Sequence, residues 1–202
     1  MSLLAHIHGR LVHSRRVRVL AGRIAPLLPQ GARVLDIGCG DGALAEQLQK
    51  LRPDLAFSGV DVRARTAARI PVQTFDGRTL PCPAASFDAA LLADVLHHTD
   101  DPRALLREAR RVARVIVLKD HTLTGCCAGP TLRLMDWAGN APHDVALPYN
   151  YWPEAEWRVA FKVLELRVTN WETELHLYPP PLDWVCGRRL HFLARLEREA
   201  GA

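Results

Sequence analysis

The segment Val34-Leu35-Asp36-Ile37-Gly38-Cys39-Gly40-Asp41-Gly42 restricts the fold of this chain more than any other. Apolar residues frame one carboxylate, and three glycines then fall within five positions. Ala32–Ile37 reads as a parallel strand buried on both faces. The glycines read as a loop whose backbone something must approach closely. Ala43–Leu51 reads as a helix, stopped by Pro53. A strand, a glycine-rich loop and a helix in that order make a binding site for a small, partly anionic ligand.

The rest of the chain repeats the alternation. Strands are expected at Arg33–Ile37, Ala56–Asp61, around Val72–Phe75, at Phe87–Ala93 and at Val115–Lys119. A short helix carrying Arg63, Arg65 and Arg69 is expected before Pro71, and another over Arg103–Val112, where Pro102 stands at a tolerated first-turn position. Strands alternating with helices imply an α/β fold with a mostly parallel sheet and helices on both faces. The tail breaks this rhythm. Thr122–Tyr149 is a long segment rich in Gly and Pro, Trp152–Leu164 reads as a helix, and Leu166–Leu177 and Leu190–Arg195 read as strands. Their link, Tyr178–Arg189, leaves no room for a typical crossover helix, so the last two strands should be antiparallel. Ahead of the first strand, apolar residues at 12, 17, 20, 24, 27 and 28 give Leu11–Leu28 a helical stripe.

With 202 residues the chain is long enough for one α/β domain. We expect a single domain over 1–202, with a helical cap at 1–30 and a variable, substrate-side segment at 122–151. The first 35 residues hold six Arg and three His but no Asp or Glu. That composition also suits a transit peptide, but the run continues straight into the core strand and reads better as a basic helix covering the site. Five cysteines, with none at the spacing of a zinc knuckle or a redox pair, fit a reducing cytoplasm. No apolar run approaches the roughly 20 residues of a membrane span.

Two cofactors compete for the glycine loop. Gly38-x-Gly40-x-x-Ala43 fits the dinucleotide fingerprint, and Asp61 lies about 20 residues on, so an NAD-dependent oxidoreductase stays open on the glycines alone. The acids favour another ligand. Asp36 sits inside the strand end, where a carboxylate suits an ammonium group and repels a pyrophosphate. Asp61 ends the second strand, placed for ribose hydroxyls. Asp76-Gly77 follows the third, placed for an adenine amine. An amine, a ribose and an adenine without phosphate describe S-adenosylmethionine.

On Val34–Gly42, Gly59–Val62, Asp76-Gly77 and Ser86–His98, the chain resembles class I S-adenosylmethionine-dependent methyltransferases, in the branch that includes ubiquinone and menaquinone biosynthesis methyltransferases. The resemblance is good over residues 30–120. It implies a Rossmann-like sheet of seven strands in the order 3-2-1-4-5-7-6 with strand 7 antiparallel. It further implies that Gly38, Cys39 and Gly40 approach the methionine part of the cofactor with Asp36 nearby, and that Asp61 binds the ribose. Val62 would pack on the adenine, Asp76 and Gly77 would take its amine edge, and Ala93 and Asp94 would border the methyl group. Plain structural readings stand beside these: Asp76-Gly77 as a turn, and Asp61 or Asp94 as a helix cap.

Methyl transfer to a small-molecule acceptor by direct in-line displacement is the expected function; a non-catalytic cofactor-binding protein is the remaining alternative. His97, His98 and His121 are the candidate bases, since an imidazole titrates near neutral pH. A structural His pair, and a solvated strand end at Lys119-Asp120-His121, are the plainer readings. No metal site is expected, because no carboxylate stands at a convincing ligand spacing from these histidines. Met135, Trp137, His143, Tyr149 and Tyr151 would wall an apolar or aromatic acceptor, while Leu132, Leu134, Met135 and Trp137 also suit core packing. Arg10, Arg15 and Arg16 suit either an acidic substrate or a solvated face. Nucleic acid is not the expected substrate. Amino-methyltransferases acting on nucleobases commonly carry an Asn- or Asp-Pro-Pro-aromatic tetrapeptide where this chain has Ala93-Asp94-Val95-Leu96, and a sustained basic stripe is missing outside the N-terminal region.

Overall fold

A computed structural model describes residues 3–63, 67–140 and 148–199, the side chains of 3–12, 139 and 140 excepted. The strands are β1 Arg33–Ile37, β2 Ala56–Asp61, β3 Val72–Thr74, β4 Phe87–Ala93, β5 Ala113–His121, β6 Leu166–Glu172 and β7 His191–Arg198. They form one sheet in the order β3-β2-β1-β4-β5-β7-β6. β7 runs antiparallel to both β5 and β6, and the other pairings are parallel. The helices are α1 Leu3–Ile24, α2 Ala43–Leu51, α3 Pro102–Val112, α4 Ala128–Asn140, α5 Glu154–Val163 and α6 Leu182–Cys186. None of the described helices is long and apolar enough to cross a membrane.

Side chains alternate across the sheet with period two, and the two faces build two cores. Leu35, Ile37, Ala90, Leu92, Ile116 and Leu118 meet Leu105, Leu106, Trp157 and Phe161 on one side. Val34, Ala89, Leu91, Val115 and Val117 meet Leu20, Ile24 and Leu48 on the other. Both faces are covered, which is why β1 and β4 read as apolar runs rather than alternating ones. Asp101 caps α3 by accepting a bond from the Ala104 amide (3.0 Å), with Pro102 at the first helical position.

Four segments depart from the sequence reading. No helix forms among the described residues between β2 and β3, and 64–66 lie outside them. There the chain gives its amides to the glycine loop: Asp61 Oδ1 accepts from Arg63 N (2.9 Å), and Arg69 N donates to Asp41 O (2.9 Å). Second, α4 forms inside 122–149. Gly129 and Pro130 fall in its first turn, where amides have no intrahelical partner to lose, and Leu132 and Asp136 are buried one turn apart. Third, β6 stops at Glu172, because Leu175, Leu177 and Tyr178 leave the sheet edge and pack into the second core. Fourth, the link to β7 holds the short α6. At the N-terminus, α1 starts at Leu3 and ends at Ile24, followed by a 3-10 turn over Ala25–Leu27.

Candidate functional site

The carboxyl ends of β1, β4 and β5 lie along one side of the sheet, and a cavity of about 340 Å³ opens there. Gly38, Cys39, Gly40, Ala93, Asp94, His97, His98 and His121 all line it, together with Arg16 from α1 and Asp136 from α4. Asp36, buried within β1, is outside this lining, as are Asp61, Val62, Asp76 and Gly77, which lie at or after the ends of β2 and β3.

Most amides of the glycine loop are already engaged within the protein. Gly38 N and Cys39 N both point at Val60 O (2.7 and 3.3 Å), Gly40 N donates to Asp61 Oδ2 (2.8 Å), and Ala43 N at the start of α2 donates to Asp41 Oδ1 (3.1 Å). A phosphate cradle needs such amides free to face the anion. Here they are committed to the protein, so a dinucleotide pyrophosphate is poorly served. Gly38 has φ +71°, and a Cβ on it would stand 2.6 Å from Val95 Cγ2, so only glycine lets β1 turn under the cavity floor. Asp36 is buried beneath this loop, and its Oδ2 has no hydrogen-bond partner among the described residues. Burial first, and then the charge of Asp61, push its carboxyl up to about 7. A buried carboxyl oxygen without a hydrogen-bond partner, beside a loop whose glycine amides are engaged elsewhere, suits a cationic donor from a ligand. The ammonium of S-adenosylmethionine fits that requirement.

Val62 is 58% exposed, and a Cβ at Gly77 would sit 3.2 Å from its Cγ1, so these two residues are neighbours on an open wall. Asp76 is exposed, and its Oδ1 accepts from Arg78 N (2.8 Å) and Thr79 N (2.7 Å), the geometry of a turn.

At the other end, Asp94 adopts φ +59° as it leaves β4. Arg16 and Lys119 both donate to it. Burial opposes its ionisation, but Arg16 and Lys119 outweigh that and hold its carboxyl well below the usual range. Lys119 is fully buried and also donates to His191 Nδ1 (3.1 Å), whose Nε2 faces Cys186 O (3.0 Å). Arg16 is thus a structural tie between α1 and the site rather than part of a solvated face. Trp137 and Leu134 are exposed, whereas Leu132 and Tyr151 are buried; His143 and the Arg10 side chain lie outside the described residues.

The histidines form one cluster. His97 and His98 follow β4 in a 3-10 turn, and His121 ends β5. Asp120 is no solvated strand end: it is fully buried and accepts from Leu96 N (3.0 Å), His121 N (2.7 Å) and His97 Nδ1 (2.6 Å). Burial resists its charge, but these neighbours hold the carboxyl far below its ordinary range. An ionised carboxylate only accepts, so His97 Nδ1 carries a hydrogen toward Asp120; burial opposes a charge on His97, but Asp120 and then Asp136 outweigh it and shift the imidazole upward. His121 Nδ1 lies 3.2 Å from His97 Nδ1. Burial, then His97 and Lys119, push His121 down to about 4, while burial and His97 also lower His98. Asp136, which the sequence reading passed over, approaches His97 Nε2 at 3.4 Å and accepts from the Tyr151 hydroxyl. The fold therefore supplies the carboxylates whose spacing in sequence argued against a metal.

A family model described as a methyltransferase domain matches residues 11–170. The chain is 34% identical over 128 residues to 27-O-demethylrifamycin SV methyltransferase of Amycolatopsis mediterranei, covering 54% of this chain and 47% of that protein. It is 33% identical over 94 residues to tRNA (carboxymethyluridine(34)-5-O)-methyltransferase of Schizosaccharomyces pombe, covering 45% and 40%. The chain thus spans less than half the length of these curated relatives. A solved S-adenosylmethionine-dependent methyltransferase from Mesorhizobium loti shares the fold with a TM-score of 0.65 at 17% identity, covering 88% of this chain and 96% of that one.

Proposed function

The chain belongs to the methyltransferase family and its cofactor is S-adenosylmethionine; on that premise we propose that it transfers a methyl group to a small-molecule acceptor by direct in-line displacement. The observation that carries this reading is the Asp36 oxygen without a hydrogen-bond partner beside a loop whose glycine amides are engaged within the protein. Asp36 would hold the methionine ammonium, and Gly38, Cys39 and Gly40 would pass along the methionine chain. Asp61 would take the ribose hydroxyls, and Val62, Asp76 and Gly77 the adenine. Ala93 and Asp94 would border the reacting end. When bound, the cofactor supplies an electrophilic methyl on a sulfonium, already a good leaving group.

What remains for the protein is to align a nucleophile and exclude water, and such positioning is worth effective molarities of about 10⁵ M or more. Arg16 of α1 lines the cavity and pairs with Asp94, which supports a role for 1–30 as a helical cap. Residues of the 122–151 segment close the acceptor side through Asp136 and Tyr151. His97 and His98, whose ring nitrogens face that side, act on the acceptor; His121, pushed down to about 4, supports His97.

The test is formation of S-adenosylhomocysteine over a panel of small phenols, thiols and amines, run beside total tRNA. Turnover with a small molecule and none with tRNA is expected. Turnover with tRNA alone would overturn the acceptor assignment. Tight cofactor binding without turnover on either would favour a binding-only protein.

A further inference from the structure

We propose that His97 Nε2, His98 Nδ1 and Asp136 form a site for one divalent transition-metal ion, of the zinc type, at the acceptor end of the cavity. Their ligand atoms all lie within 4.8 Å of one another. His97 and Asp136 are buried, and neither His97 Nε2 nor His98 Nδ1 has a hydrogen-bond partner among the described residues. A buried His98 nitrogen without a hydrogen-bond partner, next to a His97 nitrogen whose neighbour is the Asp136 carboxylate at 3.4 Å, is a costly arrangement unless something is shared among the three.

The spacing of His97 and Asp136 matches one edge of a coordination shell. His97 Nε2 stands 3.4 Å from Asp136 Oδ2, and the edge of a tetrahedron with bonds of about 2.0–2.1 Å is roughly 3.3–3.4 Å. The supports are those metal ligands generally carry. The His97 Nδ1 hydrogen is held by Asp120 at 2.6 Å, which fixes the tautomer with Nε2 as the donor atom. The Tyr151 hydroxyl steadies Asp136 in the same way. Asp120 is itself anchored by the Leu96 and His121 amides. Two imidazoles and one carboxylate select a zinc-like ion over magnesium.

A second grouping, Asp94 with His97 and His121, carries no such inference. Arg16 and Lys119 already occupy Asp94, and His121 turns its Nδ1 toward His97 Nδ1.

Three protein ligands leave one position open toward the cavity, as in catalytic rather than structural zinc sites. That position suits an acceptor with an ionisable hydroxyl or thiol, because binding to the ion lowers the pKa of such a group. This acceptor assignment rests on the methyl-transfer reading; the metal site does not.

The experiment titrates cobalt(II) into the full chain carrying Cys126→Ser and Cys127→Ser. The change removes an exposed thiol pair with Sγ atoms 3.5 Å apart that would bind the ion on its own. One equivalent with the strong visible bands of four-coordinate cobalt is expected, displaced by zinc. His98→Ala and Asp136→Asn should each weaken binding at least about tenfold. S-adenosylhomocysteine affinity is measured alongside on the parent, and an unchanged cooperative melting transition reports that each variant is folded. Absence of the bands in the parent, or equal binding by both variants, overturns the metal site. Loss of S-adenosylhomocysteine binding by the parent would instead overturn the methyl-transfer reading and leave the cobalt result to be judged by itself.

Discussion

Replacing Asp61 by alanine is expected to weaken binding of S-adenosylhomocysteine by about a hundredfold or more. The residue does two things at once. Its Oδ2 accepts the Gly40 amide at 2.8 Å and its Oδ1 accepts the Arg63 amide at 2.9 Å, so it locks the glycine loop to the end of β2. In the proposed complex it also accepts from ribose hydroxyls. Hydrogen bonds to a charged group contribute about 1.5–3 kcal/mol each, and every 1.4 kcal/mol is about tenfold in affinity. Losing two such bonds gives a factor of about 10² to 10⁴ before any loosening of the loop is counted. Isothermal titration calorimetry reads this directly. An affinity within about threefold of the parent would remove Asp61 from the site.

Asp36 should make cofactor affinity depend on pH. Burial and the charge of Asp61 push its carboxyl up to about 7 in the free protein. A ligand ammonium favours the ionised form, so binding expels a proton below about pH 7 and affinity should climb as the pH rises. From about pH 5.5 to about pH 8 the expected gain is about tenfold or more. Asp36→Asn should bind weakly and with no such slope. The same shift fixes the sign for stability. The unfolded carboxyl ionises near about 3.9, so between there and about 7 the native state holds more protons, and stability falls as the pH rises through that window. Above it, Asp36→Asn should therefore be more stable than the parent without ligand, by up to roughly 4 kcal/mol at about 1.36 kcal/mol per unit. Denaturant unfolding at about pH 5 and about pH 8 measures this. A variant that is less stable than the parent at the higher pH would contradict the assignment.

What could be read from the sequence followed from local chemistry. The apolar runs at 33–37 and 87–93 are β1 and β4 because strands covered on both faces have no polar alternation to hide behind. The strand order came through the resemblance, whose motifs sit at strand ends. The departures arise where the decisive partner is distant in sequence. Asp120 looked solvent-facing, yet β7 pairs alongside it and the backbone amides of Leu96 and His121 bury it. Arg16 looked like surface charge until the fold placed α1 over Asp94. Helix α4 was hidden by glycine and proline in its first turn, and with it Asp136, whose approach to His97 exists only in three dimensions. Asp76 is the reverse case: the structure holds it in the turn that its sequence also suggested, with one carboxylate oxygen engaged by two amides.

The account stands on the seating of S-adenosylmethionine in the cleft between the glycine loop and the end of β4. A crystal structure with S-adenosylhomocysteine tests it most directly. The predicted result has the amino group on the Asp36 side of the loop and the ribose hydroxyls on Asp61. The sulfur would lie beside Ala93 and Asp94, facing His97 and His98. A ligand bound elsewhere, or one in this cleft whose ribose makes no contact with Asp61, would contradict it.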